Sequence, residues 1–379
     1  MSSSFLSTHE SAIYDRQIRL WGSSAQMRIK SGKVLFVGIS ATAAEMCKNV
    51  LLAGANLIIA DDGSVSPEST NFLIALEIDP VDQQSMTVGQ ATAKAVSQLN
   101  EHPSVEAIGL AEVRNYIASA DSVVVSIPRI EVATALVLSD QCRQLGKSFF
   151  IVFDSLAANW CFADMGEMHV VESHTAPLRR DERTGDRSSD KRVIEFQFTP
   201  FQMFLKSEIE LNIANPKPSF PLAEVLFVKL YLEFFSLTDS ANKEAPSPKR
   251  TRISASSKFG RFVDERLAVL AAVEGRIGKT FSSLKDSLTQ QLRKKYEVDL
   301  HRPSPPHLAA IHGALVSQEI VKFITKRDVP LVNQIVLNPN DCGCLVVKTP
   351  MSLSSRILSS EDSVQQDEVE VIVTANALD

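Results

Sequence analysis

No stretch of the 379-residue sequence approaches the roughly 18 uninterrupted apolar residues that cross a bilayer, so no membrane association is expected. The opening MSSSFLSTHE lacks the basic and apolar regions of a secretory signal, and a cytosolic or nuclear location is expected. Cysteine is sparse. The five residues Cys47, Cys142, Cys161, Cys342 and Cys344 are odd in number and form no CxxC pair, so they suit neither a disulfide framework nor a zinc site. Basic charge is not in excess either: 39 Lys and Arg against 45 Asp and Glu give a net charge of -6, and a global grip on nucleic acid is not expected. No repeat of about 20 to 50 residues recurs, which excludes a solenoid. What is present, 44% hydrophobic and 22% charged residues, excludes disorder of the whole chain.

Ser7 and Glu10 make a capping box that opens a helix, with Ile13, Tyr14, Gln17, Leu20 and Trp21 as its apolar stripe and Arg16 and Arg19 pointing away. A short strand at 33–38 leads into a helix from Ala43 to Leu52. Strands at 57–60, 122–126 and 148–153 then alternate with helices at 87–100 and 132–145. This rhythm predicts an α/β fold: a Rossmann-like, doubly wound, mostly parallel sheet with helices on both faces. It fails after Asp154. Strand-like runs at 168–171 and 193–198 flank a mixed-charge tract at 173–192, and a helix at 221–235 precedes a Ser/Pro/Lys-rich tract at 236–260, both read as mobile linkers. Helices at 263–275, 281–296 and 307–325 and strands at 334–337 and 345–347 close the chain. The expected organisation is a nucleotide-type domain over 1–165, a loop-rich middle over 166–262, closing elements of the same fold over 263–350, and a disordered acidic tail over 351–379.

The first strand and helix flank the place where a nucleotide fold puts a glycine-rich turn, whose backbone N–H groups meet phosphate at a helix N-terminus. Here the turn reads Gly38-Ile39-Ser40-Ala41-Thr42-Ala43-Ala44. Only Gly38 is a glycine; Ala41 and Ala43 add methyl groups where phosphate would approach, and the turn is degenerate. Asp61 or Asp62, after the second strand, either binds a ribose or caps the next turn.

Tyr14-Asp15-Arg16-Gln17-Ile18-Arg19-Leu20-Trp21-Gly22, Val37-Gly38, Gly54 and Gln318-Glu319-Ile320-Val321-Lys322 together resemble the enzymes that activate ubiquitin-like modifiers, over about residues 10 to 350. Within that ThiF/MoeB-like family the chain is similar to the non-catalytic halves of the SUMO- and NEDD8-activating heterodimers. Its length favours the former, because the NEDD8 counterpart carries a large helical insertion. The resemblance implies adenylation of the modifier's C-terminal glycine with ATP and Mg2+, followed by transfer to a cysteine as a thioester. The signatures of that chemistry are missing: Ser66 to Phe72 carries no arginine, Thr92 stands where a lysine is implied with Lys94 two positions on, and Ser126-Ile127-Pro128-Arg129 replaces a metal-binding Asp turn. No cysteine precedes a threonine, and the zinc-binding CxxC pairs are absent. The resemblance therefore implies that ATP and Mg2+ are bound by a catalytic partner subunit, with no cofactor or metal in this chain. Arg16 is implied to be donated to the partner's ATP, with Arg19 in support. SUMO itself, and transiently the SUMO-conjugating enzyme, are the further partners implied. Leu51, Leu52 and the helix at 307–325 belong either to the subunit interface or to the chain's own core. A scaffold without catalytic contribution is the alternative within this reading. A free-standing nicotinamide oxidoreductase is the alternative outside it, disfavoured by the replaced glycines.

Two peripheral patterns remain. Lys249, Arg250 and Arg252 beside Pro246-Ser247-Pro248 read as a nuclear-import patch, giving a nuclear location with some cytoplasmic. Val369, Val371, Ile372 and Val373 behind acidic residues read as a SUMO-interacting strand that adds to a sheet edge.

Overall fold

A computed structural model describes residues 6–66, 71–173, 192–207, 222–238, 248–272, 276–300, 302–331, 333–337, 344–347 and 357–358. The strands are β1 (Lys33–Val37), β2 (Asn56–Ala60), β3 (Val105–Ile108), β4 (Ser122–Ile127), β5 (Ser148–Ser155), β6 (Ala158–Asp164), β7 (His169–Ser173), β8 (Arg192–Phe196), β9 (Gln334–Leu337), β10 (Cys344–Val347) and β11 (Ile357–Leu358). The α-helices are α1 (Thr8–Ile13), α2 (Asp15–Trp21), α3 (Ser23–Ser31), α4 (Ala41–Ala53), α5 (Phe72–Glu77), α6 (Pro80–Gln83), α7 (Val88–Ser97), α8 (Val113–Tyr116), α9 (Val132–Gln144), α10 (Phe201–Lys206), α11 (Leu222–Thr238), α12 (Pro248–Ala272), α13 (Arg276–Lys294) and α14 (Pro306–Thr325).

One sheet orders its strands β10-β9-β6-β5-β4-β1-β2-β3. From β3 to β5 the pairings are parallel; β6, β9 and β10 join antiparallel. Apolar residues fill both faces of the central strands, as a parallel sheet covered on two sides requires. Leu35, Val37, Val123, Val125, Phe149 and Phe153 pack under α9, α11 and α13. Val34, Phe36, Val124, Phe150 and Val152 pack under α3, α4, α7 and α14. The doubly wound, mostly parallel architecture is the one expected from the sequence.

Several local expectations need correction. The helix at the N-terminus breaks at Tyr14, whose φ of -94° and ψ of 14° separate α1 from α2 and shift the helical phase. Tyr14 is buried, but Ile13 and Leu20 are exposed, Leu20 by 77%. The linker expected at 236–260 is helical from Pro248 onward, so Lys249, Arg250 and Arg252 lie in the first turns of α12. β11, in the stretch expected to be a disordered tail, pairs antiparallel with β8. The tract at 173–192 falls mostly outside the described residues, as do residues 369–373.

α14 belongs to this chain's core rather than to a free surface. It is long and apolar enough to pass for a membrane span by length and composition. Its Leu308, Val316 and Ile320 are buried, however, each contributing about 1.5–3 kcal/mol. α14 crosses α4 where Gly313 meets it, and Leu51 is likewise fully buried while Leu52 is half exposed. Beside Gly313, His312 is fully buried with neither ring nitrogen hydrogen-bonded to a described residue, and burial holds its pKa down at about 3. The folded pKa lies below the unfolded value, so this neutral histidine's contribution is present above about pH 6.5 and is lost as pH falls. Between pH 6.5 and 5 the loss is about 2 kcal/mol. Urea denaturation should therefore show wild type losing about 2 kcal/mol more than His312→Leu between pH 7 and pH 5. Parallel pH dependence of the two would contradict this.

Candidate functional site

The motif at the N-terminus is assembled around the C-terminal end of α4. That helix ends at Gly54, with φ of 107°, where the Tyr14 ring packs so closely that a Cβ would lie 3.1 Å from it. Asn100 Nδ2 donates to the Tyr14 hydroxyl at 2.9 Å. Gln17 Nε2 donates to the Leu52 carbonyl at 3.3 Å and Gln26 Nε2 to the Ala53 carbonyl at 2.8 Å, satisfying acceptors that a helix end leaves free. Trp21 Nε1 donates to Gln26 Oε1 at 2.9 Å, and Gly22 turns the chain at φ of 84°. Arg19 pairs with Asp15 one turn earlier on an exposed surface. Arg16 is left over. It is exposed, and no hydrogen bond or ion pair ties it to another described residue; Leu20, one turn on, is exposed with it.

At the opposite end of α4 the degenerate turn is filled by the chain itself. Ser40 caps the helix, its Oγ accepting from Ala43 N at 3.2 Å. Thr42 N donates to Asp154 Oδ2 at 2.7 Å, and Ile39 N donates to Asp61 Oδ2 at 2.8 Å. Gly38 keeps its positive φ of 76°, but a Cβ there would lie 2.7 Å from the Ile130 side chain. The glycine thus makes room for Ile130, not for phosphate. Asp61 also binds the Arg129 guanidinium, with Nη2 at 2.7 Å from Oδ1, and accepts from Gly63 N. Asp62 accepts from Leu110 N. Asp61 thus caps the turn at Gly63, whereas Asp62 holds the start of the 3-10 turn after β3 and not the next turn.

The other vacated positions are likewise occupied. Asn71 Nδ2 donates to Thr92 Oγ1 at 3.1 Å, both buried, so the places where the resemblance implies an arginine-bearing stretch and a lysine hold a neutral pair. Lys94 lies on the surface with Asp82 at 3.0 Å. Arg129, in the turn where a metal-binding Asp is implied, brings a cation instead. Cys47, Cys142 and Cys161 are buried free thiols, and burial pushes all three well above the ordinary thiol range, which suits packing and not nucleophilic attack. Among the described residues no cluster of His, Cys, Asp and Glu could hold a metal ion.

These residues do not fit a nucleoside triphosphate. Phosphate binding needs free N–H groups at the helix start and open space beside the glycine. Here two carboxylates hold the N–H groups of Ile39 and Thr42, and Ile130 fills the space. Asp154 is the residue sequence reasoning missed. Its signal was available: it is an acid ending the apolar run of β5, at the carboxyl edge of the parallel strands, where α/β folds place ligands.

The profile of the ThiF family matches residues 14–341. The chain is similar to SUMO-activating enzyme subunit 1B-1 of Arabidopsis thaliana, at 26% identity over 343 residues, covering 89% of this chain and 95% of that one. It is similar to DNA damage tolerance protein RHC31 of Saccharomyces cerevisiae at 27% identity, covering 88% and 95%. Against SUMO-activating enzyme subunit 1 of Dictyostelium discoideum the identity is 24%, covering 85% and 88%.

Proposed function

The chain belongs to the ThiF family, and from that premise we propose that it is the non-catalytic subunit of a heterodimeric SUMO-activating enzyme. The relatives named as first subunits of SUMO-activating enzymes align over nearly their whole length, which supports this assignment over the NEDD8 counterpart. The observation that carries the catalytic part is Arg16. Tyr14 and Gln17 of its motif hold the helix against the end of α4 and Trp21 bonds Gln26 of α3, while Arg16 stands exposed with no hydrogen bond or ion pair to another described residue.

In this reading the partner subunit binds ATP and Mg2+, the modifier's C-terminal carboxylate attacks the α-phosphorus, and pyrophosphate departs. The Arg16 guanidinium reaches the partner's site and offers paired donors to the charge that develops on the phosphates. The reactive thiol belongs to the partner. Exposed Ile13, Leu20 and Leu52 beside Arg16 give the partner an apolar surface on which to seat that helix. The chain should co-purify stoichiometrically with a catalytic subunit that carries zinc-binding CxxC pairs, and SUMO thioester should form only with both chains present. Full thioester formation by the partner alone would overturn the assignment.

The proposed location is the nucleus, with some cytoplasmic, and the proposed import patch is Lys249, Arg250 and Arg252. Replacing all three with Ala should shift a fluorescent fusion toward the cytoplasm, and an unchanged distribution would remove the patch from the account. Residues 369–373 are proposed to bind SUMO by strand addition, which titration of a peptide spanning 359–379 would test.

A further inference from the structure

We propose that Asp154 is an internal anion that takes the place of a nucleotide phosphate, so that this half of the enzyme carries its own ligand and folds without nucleotide. The inference rests on the reading of the chain as the non-catalytic half. It goes further by naming what occupies the vacated site and what that occupant does.

The arrangement around Asp154 is that of an anion-binding site. The carboxylate sits at the N-terminus of α4, a helix of 13 residues, and Oδ2 accepts from the Thr42 backbone N–H at 2.7 Å. Burial is the largest influence on Asp154 and raises its pKa above the ordinary carboxylate value, while the Thr42 N–H and the hydroxyls of Ser40, Thr42 and Ser304 beside it work the other way and favour its charged form. Oδ1 is fully buried without a direct hydrogen bond to a described residue, and Thr42 Oγ1 is left in the same state. A group kept buried and incompletely bonded is costly unless its charge is used, and here the positive end of the helix dipole uses it. The site is closed from outside. Leu156 N donates to the Arg302 carbonyl at 3.0 Å, and Ser304 Oγ donates to Asn159 Oδ1 at 2.7 Å, so the segment leading into α14 lies over the end of β5. At the end of β2, on the other side of β1, the Asp61 carboxylate accepts from Ile39 N and is neutralised by Arg129. A second anion is thus held in the same turn, and the Ile130 side chain fills the space beside Gly38.

The test uses the full chain at pH 7.5, with thermal unfolding as the readout. Asp154→Asn keeps the shape and removes the charge, and it should lower the melting temperature by about 2–4 °C. Asp154→Ala should fall at least as far, and 50 mM sodium formate, whose carboxylate fits the space the alanine opens, should restore about half of that loss relative to chloride at equal ionic strength. If Asp154→Ala does not stay folded in chloride, the fraction that refolds in formate against chloride gives the same answer. Equal stability of Asp154→Asn and wild type, or formate no better than chloride, would overturn the proposal while leaving the subunit assignment standing. Saturable stabilisation of the wild-type chain alone by ATP would instead contradict the reading on which it rests.

Discussion

Arg16→Ala is expected to leave the heterodimer intact and to slow adenylate formation by about tenfold or more, read as SUMO-dependent exchange of pyrophosphate into ATP. A loss of that size is modest for a charge-stabilising group at a phosphoryl centre, and large for an exposed arginine with no partner among the described residues of its own chain. Arg16→Lys should recover only part of the rate, because an ammonium restores charge but not the paired donors of a guanidinium. The control is Arg19→Ala. Arg19 already pairs with Asp15 on the surface, a contact worth about 0 to 1 kcal/mol, so exchange should change by less than about twofold. Unchanged exchange in Arg16→Ala would reduce the chain to a scaffold.

Gly313→Ala should destabilise the fold by about 1–3 kcal/mol, against the gain of about 1 kcal/mol that alanine ordinarily brings to a helix interior. The reason is the crossing of α14 over α4. A Cβ at residue 313 would lie 2.6 Å from Glu45 Cβ and 3.1 Å from the Thr42 carbonyl oxygen. Neither is the free end of a flexible side chain, so the helices must separate, loosening the buried contacts of Val316 and Ile320. Chemical denaturation measures the effect directly, and a stabilised variant would show that the helices part without cost.

Much of the fold was legible in the sequence because its strands are short apolar runs separated by strongly amphipathic or capped helices. Ser7 with Glu10 does form the expected capping box, and β9 occupies the residues expected of it. β3 and β6 escaped notice for opposite reasons: Val105–Ile108 is a short edge strand with exposed positions, while Ala158–Asp164 is buried throughout and shows no alternation. The phase of the N-terminal helix was misread because the break at Tyr14 leaves no proline or glycine to mark it.

The candidate site was legible as a set of losses. Missing glycines, lysine and metal-binding acid could be read along the chain, because each is a departure within a short motif. What replaced them could not, since Asp154 reaches Thr42 across 112 positions and Arg129 reaches Asp61 across 68. Such pairings are products of the sheet order, which sets β1 between β4 and β2 and places β5 one strand beyond β4. Arg16 was singled out by its motif; in the structure Tyr14, Gln17, Arg19 and Trp21 around it each have a hydrogen-bond partner.

The heterodimer is proposed to have one working nucleotide site, held by the partner and completed by this chain. Equilibrium dialysis with a non-hydrolysable ATP analogue tests it most directly, comparing the isolated chain with the reconstituted heterodimer. The account predicts no saturable binding to the chain alone, a single nucleotide per heterodimer, and weaker retention with Arg16→Ala. A second equivalent of nucleotide on the heterodimer, or saturable binding to the isolated chain, would contradict it.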